Sequence, residues 1–257
     1  MEENESGVTV EFLCPSCGGK LKVTDTFCGH CGKEIINVGI VEYKNDVFKD
    51  LAPTLLYYFI TLLLLGLYKL TTIFPEGFEG MVIVSTIDIL IVCVFWWNSS
   101  NEIKPLFSFR EVKVKILMLT VGAALAGSVV ISYLATLIQV AIRDDVFYNY
   151  YLFYDTSYPK FFAILFICVH PAIFEEIAFR GFLFSNLEKI TSSIGALYIT
   201  SFLFGIMHIS IISLLWLVPI GLAFAFLRMR YNIIWYGIIG HFTYNFGVIL
   251  IEFLGWV

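Results

Sequence analysis

Long apolar runs alternate with short polar segments along this chain, and the apolar runs dominate everything after residue 50. A helix needs about 20 mostly apolar residues to cross the hydrocarbon core of a bilayer. By this criterion the pattern predicts seven transmembrane helices, of which the second, fifth and sixth are short and the third is long enough to tilt. The predicted spans are Leu51–Leu70, Met81–Trp97, Ile116–Ile142, Phe161–Phe184, Ile194–Ser210, Ile211–Leu227 and Ile233–Val257. The predicted fold is therefore an all-α polytopic membrane protein, with about seven helices bundled around an intramembrane cavity and a small polar head before them.

Composition and charge agree with this prediction. Hydrophobic residues make up 59% of the chain and charged residues 14%, whereas a soluble domain is about 25% charged. The net charge of -5 gives no indication of nucleic-acid binding. If the N-terminus is cytoplasmic, twelve of the sixteen Lys and Arg residues fall on the cytoplasmic side, three on the other side and Arg180 within the membrane. This bias follows the positive-inside rule, so we predict a multi-pass protein of the cell membrane with a cytoplasmic N-terminus.

Four of the six cysteines form two closely spaced pairs near the N-terminus, Cys14 with Cys17 and Cys28 with Cys31. Two CxxC knuckles supply four thiolates in the arrangement that a tetrahedral zinc ion requires. Disulfides or a redox-active CxxC are the alternatives, and the reducing cytoplasm disfavours stable disulfides. The spacing therefore predicts a zinc-ribbon-like head that holds a structural zinc ion.

The polar segments divide the chain into three parts. Residues 1–36 are predicted to form the zinc-ribbon-like head, residues 37–50 a linker, and residues 51–257 the transmembrane domain. A small zinc unit beside the first span is suited to recruiting another protein, so we expect a cytoplasmic partner for the head.

The fourth predicted span contains three charged residues, Glu175, Glu176 and Arg180. Charged side chains within a membrane are costly and by default mark a functional site. Glu176 and Arg180 are four residues apart and can pair on one helix face, whereas Glu175 is rotated by about 100° from Glu176. We therefore predict that Glu176 and Arg180 form a supporting ion pair and that Glu175 faces the bundle interior as a general base. A polar clamp between helices, without chemistry, is the alternative.

Two later spans each supply a histidine that can meet these charges. His241 and Asn245 are four residues apart and point the same way, so they can donate two hydrogen bonds to a developing oxyanion. The helical rise places Glu175 and His241 about 12–14 Å from the cytoplasmic ends of their spans, and His208 about 20 Å. The difference predicts that the fifth helix projects beyond the membrane or begins at another residue.

Two other intramembrane polar residues are expected to be structural. His170 precedes Pro171, which kinks the helix, and buried histidines are usually hydrogen-bonded packing residues. Asp88 lies in the second span beside Ser85 and Thr86, and we expect it to pair with these hydroxyls.

Three motifs on three separate spans resemble, in the same order, those of the CPBP intramembrane proteases. That family includes the type II CAAX prenyl endopeptidases and bacterial bacteriocin-processing and self-immunity proteins. The motifs are Glu175-Glu176-x-x-x-Arg180, Phe204-x-x-x-His208 and His241-x-x-x-Asn245. The resemblance covers about Phe161–Val257 and implies hydrolysis of a peptide bond within the membrane, in a membrane-associated or CAAX-like protein or peptide.

The resemblance also implies a role for each motif residue. Glu175 and His208 would activate a water molecule, and His241 and Asn245 would stabilise the oxyanion. The remaining pair, Glu176 and Arg180, would hold the architecture.

Two alternatives remain open from the sequence. Glu175, His208 and His241 can in principle ligate zinc, so a zinc-dependent metalloprotease with the same residues is one; the sequence lacks a zincin-type HExxH helix, which favours direct activation of water by a glutamate. The second is a non-catalytic membrane adaptor or immunity protein, or a proton-linked transporter. No pair of matching broken spans is visible, which argues against the transporter.

Overall fold

The computed structural model describes residues 9–13, 19–21, 27, 39–43, 47–142 and 148–256. The chain divides into two units, Met1–Lys49 and Asp50–Val257. The four cysteines predicted to bind zinc, Cys14, Cys17, Cys28 and Cys31, lie outside the described residues.

The N-terminal unit contains a three-stranded antiparallel sheet. Its strands are β1 (Thr9–Leu13), β2 (Lys20–Leu21) and β3 (Gly39–Tyr43), in the order β2-β1-β3. The strand β3 lies within the segment 37–50 that was predicted to be a linker, and it pairs with β1 along its whole length. Its sequence Gly-Ile-Val-Glu-Tyr is rich in β-branched and aromatic residues, which favour strands. The unit Met1–Lys49 therefore includes residues beyond residue 36, and the division into a head and a linker stays a prediction.

Helices account for the second unit, and eight of them lie in the described part of the chain. They are α1 (Val47–Leu70), α2 (Gly77–Asn98), α3 (Ser100–Ile103), α4 (Val114–Ala141), α5 (Pro159–Ile190), α6 (Ser193–Met207), α7 (Leu214–Tyr231) and α8 (Trp235–Leu254). Short 3₁₀ turns, Lys104–Phe107, Phe109–Glu111 and Asn149–Phe153, connect some of them.

Six of the described helices are long and apolar enough to cross a membrane, so the chain is an integral multi-pass membrane protein. All seven predicted spans coincide with helices, but the fifth, α6, has only 15 residues. At 1.5 Å per residue it is about 22 Å long, which is shorter than the roughly 30 Å of a hydrocarbon core. The prediction of seven spans is therefore corrected to six full-length helices and one shorter apolar helix.

α6 and α7 pack against each other as an antiparallel hairpin. A β-carbon at Gly205 would approach Leu214 and Val218, and one at Gly221 would approach the backbone of Ser201. Glycine at these two positions thus lets the helices touch along their length. Helix α7 ends at Tyr231, and the next residue, Asn232, adopts the left-handed conformation (φ 52°) that commonly terminates a helix.

α4 lies at the edge of the bundle and packs mainly against α8. A β-carbon at Gly240 would meet Thr120, and one at Gly247 would meet Ser128, so these two glycines bring the helices into contact. Only 11% of the apolar stretch of α4 is buried within the protein, so most of its surface faces the lipid.

α5 is the central element of the bundle, and its α-helical pattern is interrupted twice. Two π-helical segments, Ile164–Val169 and Ile177–Leu183, flank the α-helical turns that carry Glu175 and Glu176. Such π-bulges occur frequently at functional sites because they re-aim side chains along a helix. Every residue from Ile177 to Leu183 is buried, so the main core forms around this part of α5.

Candidate active site

The predicted pair of Glu176 and Arg180 is present at the centre of the bundle. Nη1 of Arg180 donates to Oε1 of Glu176 at 2.9 Å, and the two side chains are 1% and 0% exposed. Nη2 of Arg180 also donates to the carbonyl of Gly221 on α7, at 3.2 Å. The guanidinium lies 4.5 Å from the ring centre of Phe204. A buried charge needs a partner and hydrogen bonds, and Arg180 obtains both while linking α5 to α6 and α7.

His241 on α8 bridges the two neighbouring glutamates. Its Nδ1 lies 3.1 Å from Oε1 of Glu176, and its Nε2 lies 4.0 Å from Oε2 of Glu175. A carboxylate paired with arginine only accepts hydrogen bonds, so Nδ1 of His241 carries the hydrogen. The Nε2 atom therefore carries a lone pair when the ring is neutral and an N–H when the ring is protonated, and at 4.0 Å it is too far from Glu175 for a direct hydrogen bond. Gly237 allows this approach, because a β-carbon there would collide with Oε2 of Glu176.

Glu175 differs from Glu176 in its surroundings, as the helical spacing predicts. Its side chain is 29% exposed, whereas that of Glu176 is fully buried. Oε2 of Glu175 is itself buried and receives no hydrogen bond from any described residue. A carboxylate oxygen in this state is available to a water molecule or a substrate.

His208 is the first residue after α6, and both its ring and its backbone carbonyl make hydrogen bonds to other residues. Nδ1 contacts the carbonyl of Phe204 at 2.9 Å, and because a carbonyl only accepts hydrogen bonds, Nδ1 carries the hydrogen. Nε2 is thereby left with a lone pair when the ring is neutral. The carbonyl of His208 accepts from Nζ of Lys69 on α1, at 2.7 Å. The next residue, Ile209, has φ 50°, a strained conformation for a β-branched side chain.

The depth of His208 is explained by the length of α5. This helix continues to Ile190, six residues beyond the predicted end at Phe184. Six residues extend a helix by about 9 Å. The start of α6 is therefore displaced by about 9 Å along the bundle relative to a chain in which α5 ends at Phe184. The helix begins at Ser193, one residue before the predicted start, and its projection beyond the membrane stays a prediction.

Asn245 on α8 contacts the irregular part of α5. Its Nδ2 donates to the carbonyl of Ile167 at 2.7 Å. In a regular α-helix that carbonyl would accept from the residue four positions later, which is Pro171 and has no N–H. One of the two amide hydrogens of Asn245 thus stabilises a carbonyl that proline leaves free, and the other hydrogen is available to a ligand.

A cavity of about 530 Å³ brings the predicted site residues together. Glu175, His208, His241 and Asn245 all line it, whereas Glu176 and Arg180 lie behind its wall. Lys69 also lines the cavity. The sequence analysis overlooked Lys69, whose signal is a lysine in the last turn of an apolar span.

His170 and Asp88 form a further pair beside this cavity. Nε2 of His170 lies 3.5 Å from Oδ2 of Asp88, and both side chains are 14% exposed. The expectation that Asp88 pairs with neighbouring hydroxyls is wrong for Thr86, whose hydroxyl donates to the carbonyl of Val82. The partner of Asp88 comes from α5 instead.

Metal ligation by Glu175, His208 and His241 was the alternative mechanism, and it stays a prediction. Within the part of the chain that the structure describes, no three His, Cys, Asp or Glu side chains are grouped so that they could hold a metal ion. His208 and His241 each direct Nδ1 to a protein acceptor, and their Nε2 atoms face the cavity.

Comparison with known proteins agrees with the resemblance seen in the three motifs. Residues 157–247 match the family described as "Type II CAAX prenyl endopeptidase Rce1-like". A protein of Bacillus subtilis (strain 168) named "Putative membrane peptidase YdiL" is 38% identical over 80 residues, which make up 31% of this chain. The chain matches only 33% of the length of that curated relative. No solved structure matches the chain. The matched residues 157–247 contain all three motifs and are similar to the Rce1-like type II CAAX prenyl endopeptidases.

Proposed function

We propose that this chain is an intramembrane endopeptidase that hydrolyses a peptide bond of a membrane-associated or CAAX-like protein or peptide. The observation that carries the proposal is the convergence of Glu175, His208 and His241, from three helices, on one cavity. The buried Oε2 of Glu175 has no hydrogen-bond donor among the described residues, so it is free to take a proton. An ion pair held as a rigid support behind the cavity is consistent with a preorganised catalytic site.

Glu175 and His208 activate the attacking water in this proposal. The water donates one hydrogen to the Glu175 carboxylate and the other to Nε2 of His208, whose Nδ1 is occupied by Phe204. As the water oxygen attacks the scissile carbonyl carbon, one proton passes to Glu175. When the carbon–nitrogen bond breaks, its electron pair stays on nitrogen, and Glu175 returns the proton to the leaving amine.

His241 and Asn245 stabilise the oxyanion in this proposal. Asn245 uses its second amide hydrogen, because the first is bound to Ile167. His241 donates from Nε2 only when its ring is protonated, since Nδ1 already donates to Glu176. Two carboxylates flank this ring, Glu176 at 3.1 Å from Nδ1 and Glu175 at 4.0 Å from Nε2.

Substituting the proposed base tests the function directly. Glu175→Gln keeps the shape of the side chain but cannot accept a proton, so we expect peptidase activity to fall by about 10²–10⁴-fold. Purified protein in lipid vesicles is assayed with a prenylated CAAX-type peptide and its unmodified counterpart, and membrane-protein termini are compared in cells. Glu79→Gln, which removes an exposed acid at the start of α2, is the matched control.

The outcome also separates the enzyme from the adaptor. If Glu175→Gln leaves both the cleaved termini and the cellular phenotype as in the wild type, the chain acts as an adaptor and the proposal is wrong. Cleavage of the prenylated peptide alone would assign the substrate class, and equal cleavage of both peptides would show that the lipid is not recognised.

We further propose that Cys14, Cys17, Cys28 and Cys31 hold one structural zinc ion, in a cytoplasmic head that recruits a partner protein. Their spacing and the positive-inside bias support this. Replacing Cys14 and Cys17 by serine should remove about one zinc ion per chain while sparing cleavage of a short peptide. Unchanged zinc content, or labelling of these thiols from outside intact cells, would contradict the proposal.

A further inference from the structure

The cavity around Glu175 is elongated and runs along α8. Its lining residues on this helix extend from His241 through Tyr244, Asn245 and Val248 to Glu252. At 3.6 residues per turn these five positions lie within about 100° of one another. The distance from His241 to Glu252 along the helix is about 16 Å. One continuous cavity thus joins the candidate active site to the end of the bundle at which α8 terminates.

The opposite wall is a polar stripe on an otherwise apolar helix. Ser132, Thr136 and Gln139 of α4 all line the cavity, and their spacing places them within about 60° on one face. The neighbouring residue Leu137 is 65% exposed and faces away. A helix at the edge of the bundle can lie in the lipid with apolar residues on all its faces, so the membrane does not require polar residues on this face. Thr136 donates its hydroxyl to the carbonyl of Ser132 within α4, and Ile131 and Ala135 lie on the same wall. Ser132 and Gln139 are therefore the stripe residues whose polar groups are open to water.

Three buried polar atoms on the cavity wall have no hydrogen-bond partner among the described residues, although two of them lie 3.5 Å and 4.0 Å from an acidic or basic side chain. They are Oγ of Ser132, Nε2 of His170 and Oε2 of Glu175. Ser132 is only 9% exposed, so its hydroxyl is enclosed within the protein. Buried polar groups without a protein partner are normally satisfied by ordered water. A cavity of about 530 Å³ has room for several such water molecules.

The other direction from the active site is closed by packing. Gly240 lies against Phe224 and Thr120, and Tyr236, one turn earlier, is fully buried. The far end of the cavity is bordered by Glu252, which accepts hydrogen bonds from the backbone N–H groups of Asn149 and Tyr150. The cavity leads away from Glu175 on two sides, between α4 and α8 and toward the exposed Lys69 and the half-buried Ser213. The side between α4 and α8 is the one that carries the polar stripe.

We propose that the polar stripe of α4 and the facing side of α8 form a water-filled path that delivers water to Glu175 from the end of the bundle bearing Gln139 and Glu252. The supply of hydrolytic water rests on the proposed peptidase function, whereas the hydration of the path does not. Irregular backbone such as the segment after α6 is tolerated at membrane depth only where it is buried or lines a water-filled cavity. The carbonyl of His208, held by Lys69 at the cavity wall, agrees with this.

Thiol labelling tests the path independently of catalysis. Gln139→Cys, Thr136→Cys and Ser132→Cys are reacted, in the full-length protein in lipid vesicles, with a charged methanethiosulfonate. Label on the α4 peptide is quantified by mass spectrometry, so the native cysteines do not interfere. Leu137→Cys is the matched control on the lipid face. A thiol reacts as the thiolate, which forms in water and not in lipid, so we expect the stripe positions to react at least about tenfold faster than Leu137→Cys.

The order of the rates gives the direction of the path. We expect Gln139→Cys to react fastest and Ser132→Cys slowest, because Gln139 lies nearest the open end. The reverse order, or equal labelling of Leu137→Cys and Thr136→Cys, would overturn the proposal.

Blocking the path connects it to catalysis. Thr136→Trp should lower kcat for peptide cleavage while Leu137→Trp leaves it unchanged. If the labelling order holds and no peptidase activity exists, the path stands and the proposed function fails. If Glu175-dependent cleavage exists without labelling of the stripe, the function stands and the path fails.

Discussion

α4 and α5 are both long apolar helices that contain polar residues, but they satisfy those residues in different ways. α5 has 33% of its apolar stretch buried, and its two fully buried charged side chains, Glu176 and Arg180, are paired with each other. α4 has 11% buried, and its inner hydroxyl at Ser132 has no partner in the described chain. Polar groups within a bilayer require either protein partners or water. The ion pair of Glu176 and Arg180 on α5 is thus a rigid support, whereas the polar stripe of α4 is a surface that water can contact.

The largest effect on stability is expected when the ion pair of Glu176 and Arg180 on α5 is broken. Arg180→Met leaves the fully buried carboxylate of Glu176 without its cation. Removing one member of a buried ion pair costs about 3–5 kcal/mol, so we expect a loss of this size in the free energy of unfolding in mixed micelles. The double variant Glu176→Gln with Arg180→Met should lose less, because neither charge remains. A single variant as stable as the wild type would contradict the burial of this pair.

A second variant tests the close approach of α8 to the same pair. Gly237→Ala places a β-carbon against Oε2 of Glu176, and overpacking of this kind costs about 1–3 kcal/mol. We expect this loss in unfolding experiments, together with reduced activity because His241 is displaced. Gly122→Ala on α4 is the control, since a β-carbon there meets no atom within 4 Å. That change should stabilise the protein by about 0.5–1 kcal/mol.

A smaller effect is expected at the contact between α1 and His208. Lys69→Met removes the ammonium that holds the carbonyl of His208, and hydrogen bonds to charged groups contribute about 1.5–3 kcal/mol. We expect kcat to fall about tenfold with little change in KM, because His208 is mispositioned and the substrate pocket is retained. Lys69→Arg should restore most of the rate, and Lys115→Met, an exposed lysine at the start of α4, should have no effect. Equal rates for Lys69→Met and Lys115→Met would disprove the positioning role.

The smallest effect on stability is expected for a substitution in the polar stripe of α4. Ser132→Ala removes a hydroxyl that has no partner in the described chain, so the free energy of unfolding should change by no more than about 0.5 kcal/mol. A loss above about 1 kcal/mol would mean that the hydroxyl is bound within the protein and that the comparison with α5 is wrong.

Local spacing was sufficient to predict much of the fold and of the site. The apolar runs gave the position of every long helix, because crossing a bilayer requires a minimum length of apolar sequence. The pairing of Glu176 with Arg180 followed from their separation by four residues. The different surroundings of Glu175 and Glu176 followed from the 100° rotation between consecutive residues.

Features that depend on distant contacts were not predictable from spacing. The predicted division between the fifth and sixth spans, after Ser210, lies within the observed break between Met207 and Leu214, but spacing did not show which residues of the two helices meet. The contact between Lys69 and His208 joins residues 139 positions apart. The strand β3 did have a local signal in its β-branched residues, but its partner β1 lies across the cysteine-containing segment.

The α6–α7 hairpin has a consequence for topology in the membrane. Because the two helices lie antiparallel and in contact, the end of α5 and the start of α8 are on the same face of the bilayer, whether or not the hairpin tip emerges on the other. The hairpin contributes no net crossing, and α1, α2, α4, α5 and α8 contribute five. The start of α1 and the end of α8 therefore lie on opposite faces, and reporter proteins fused to the two termini would occupy different compartments.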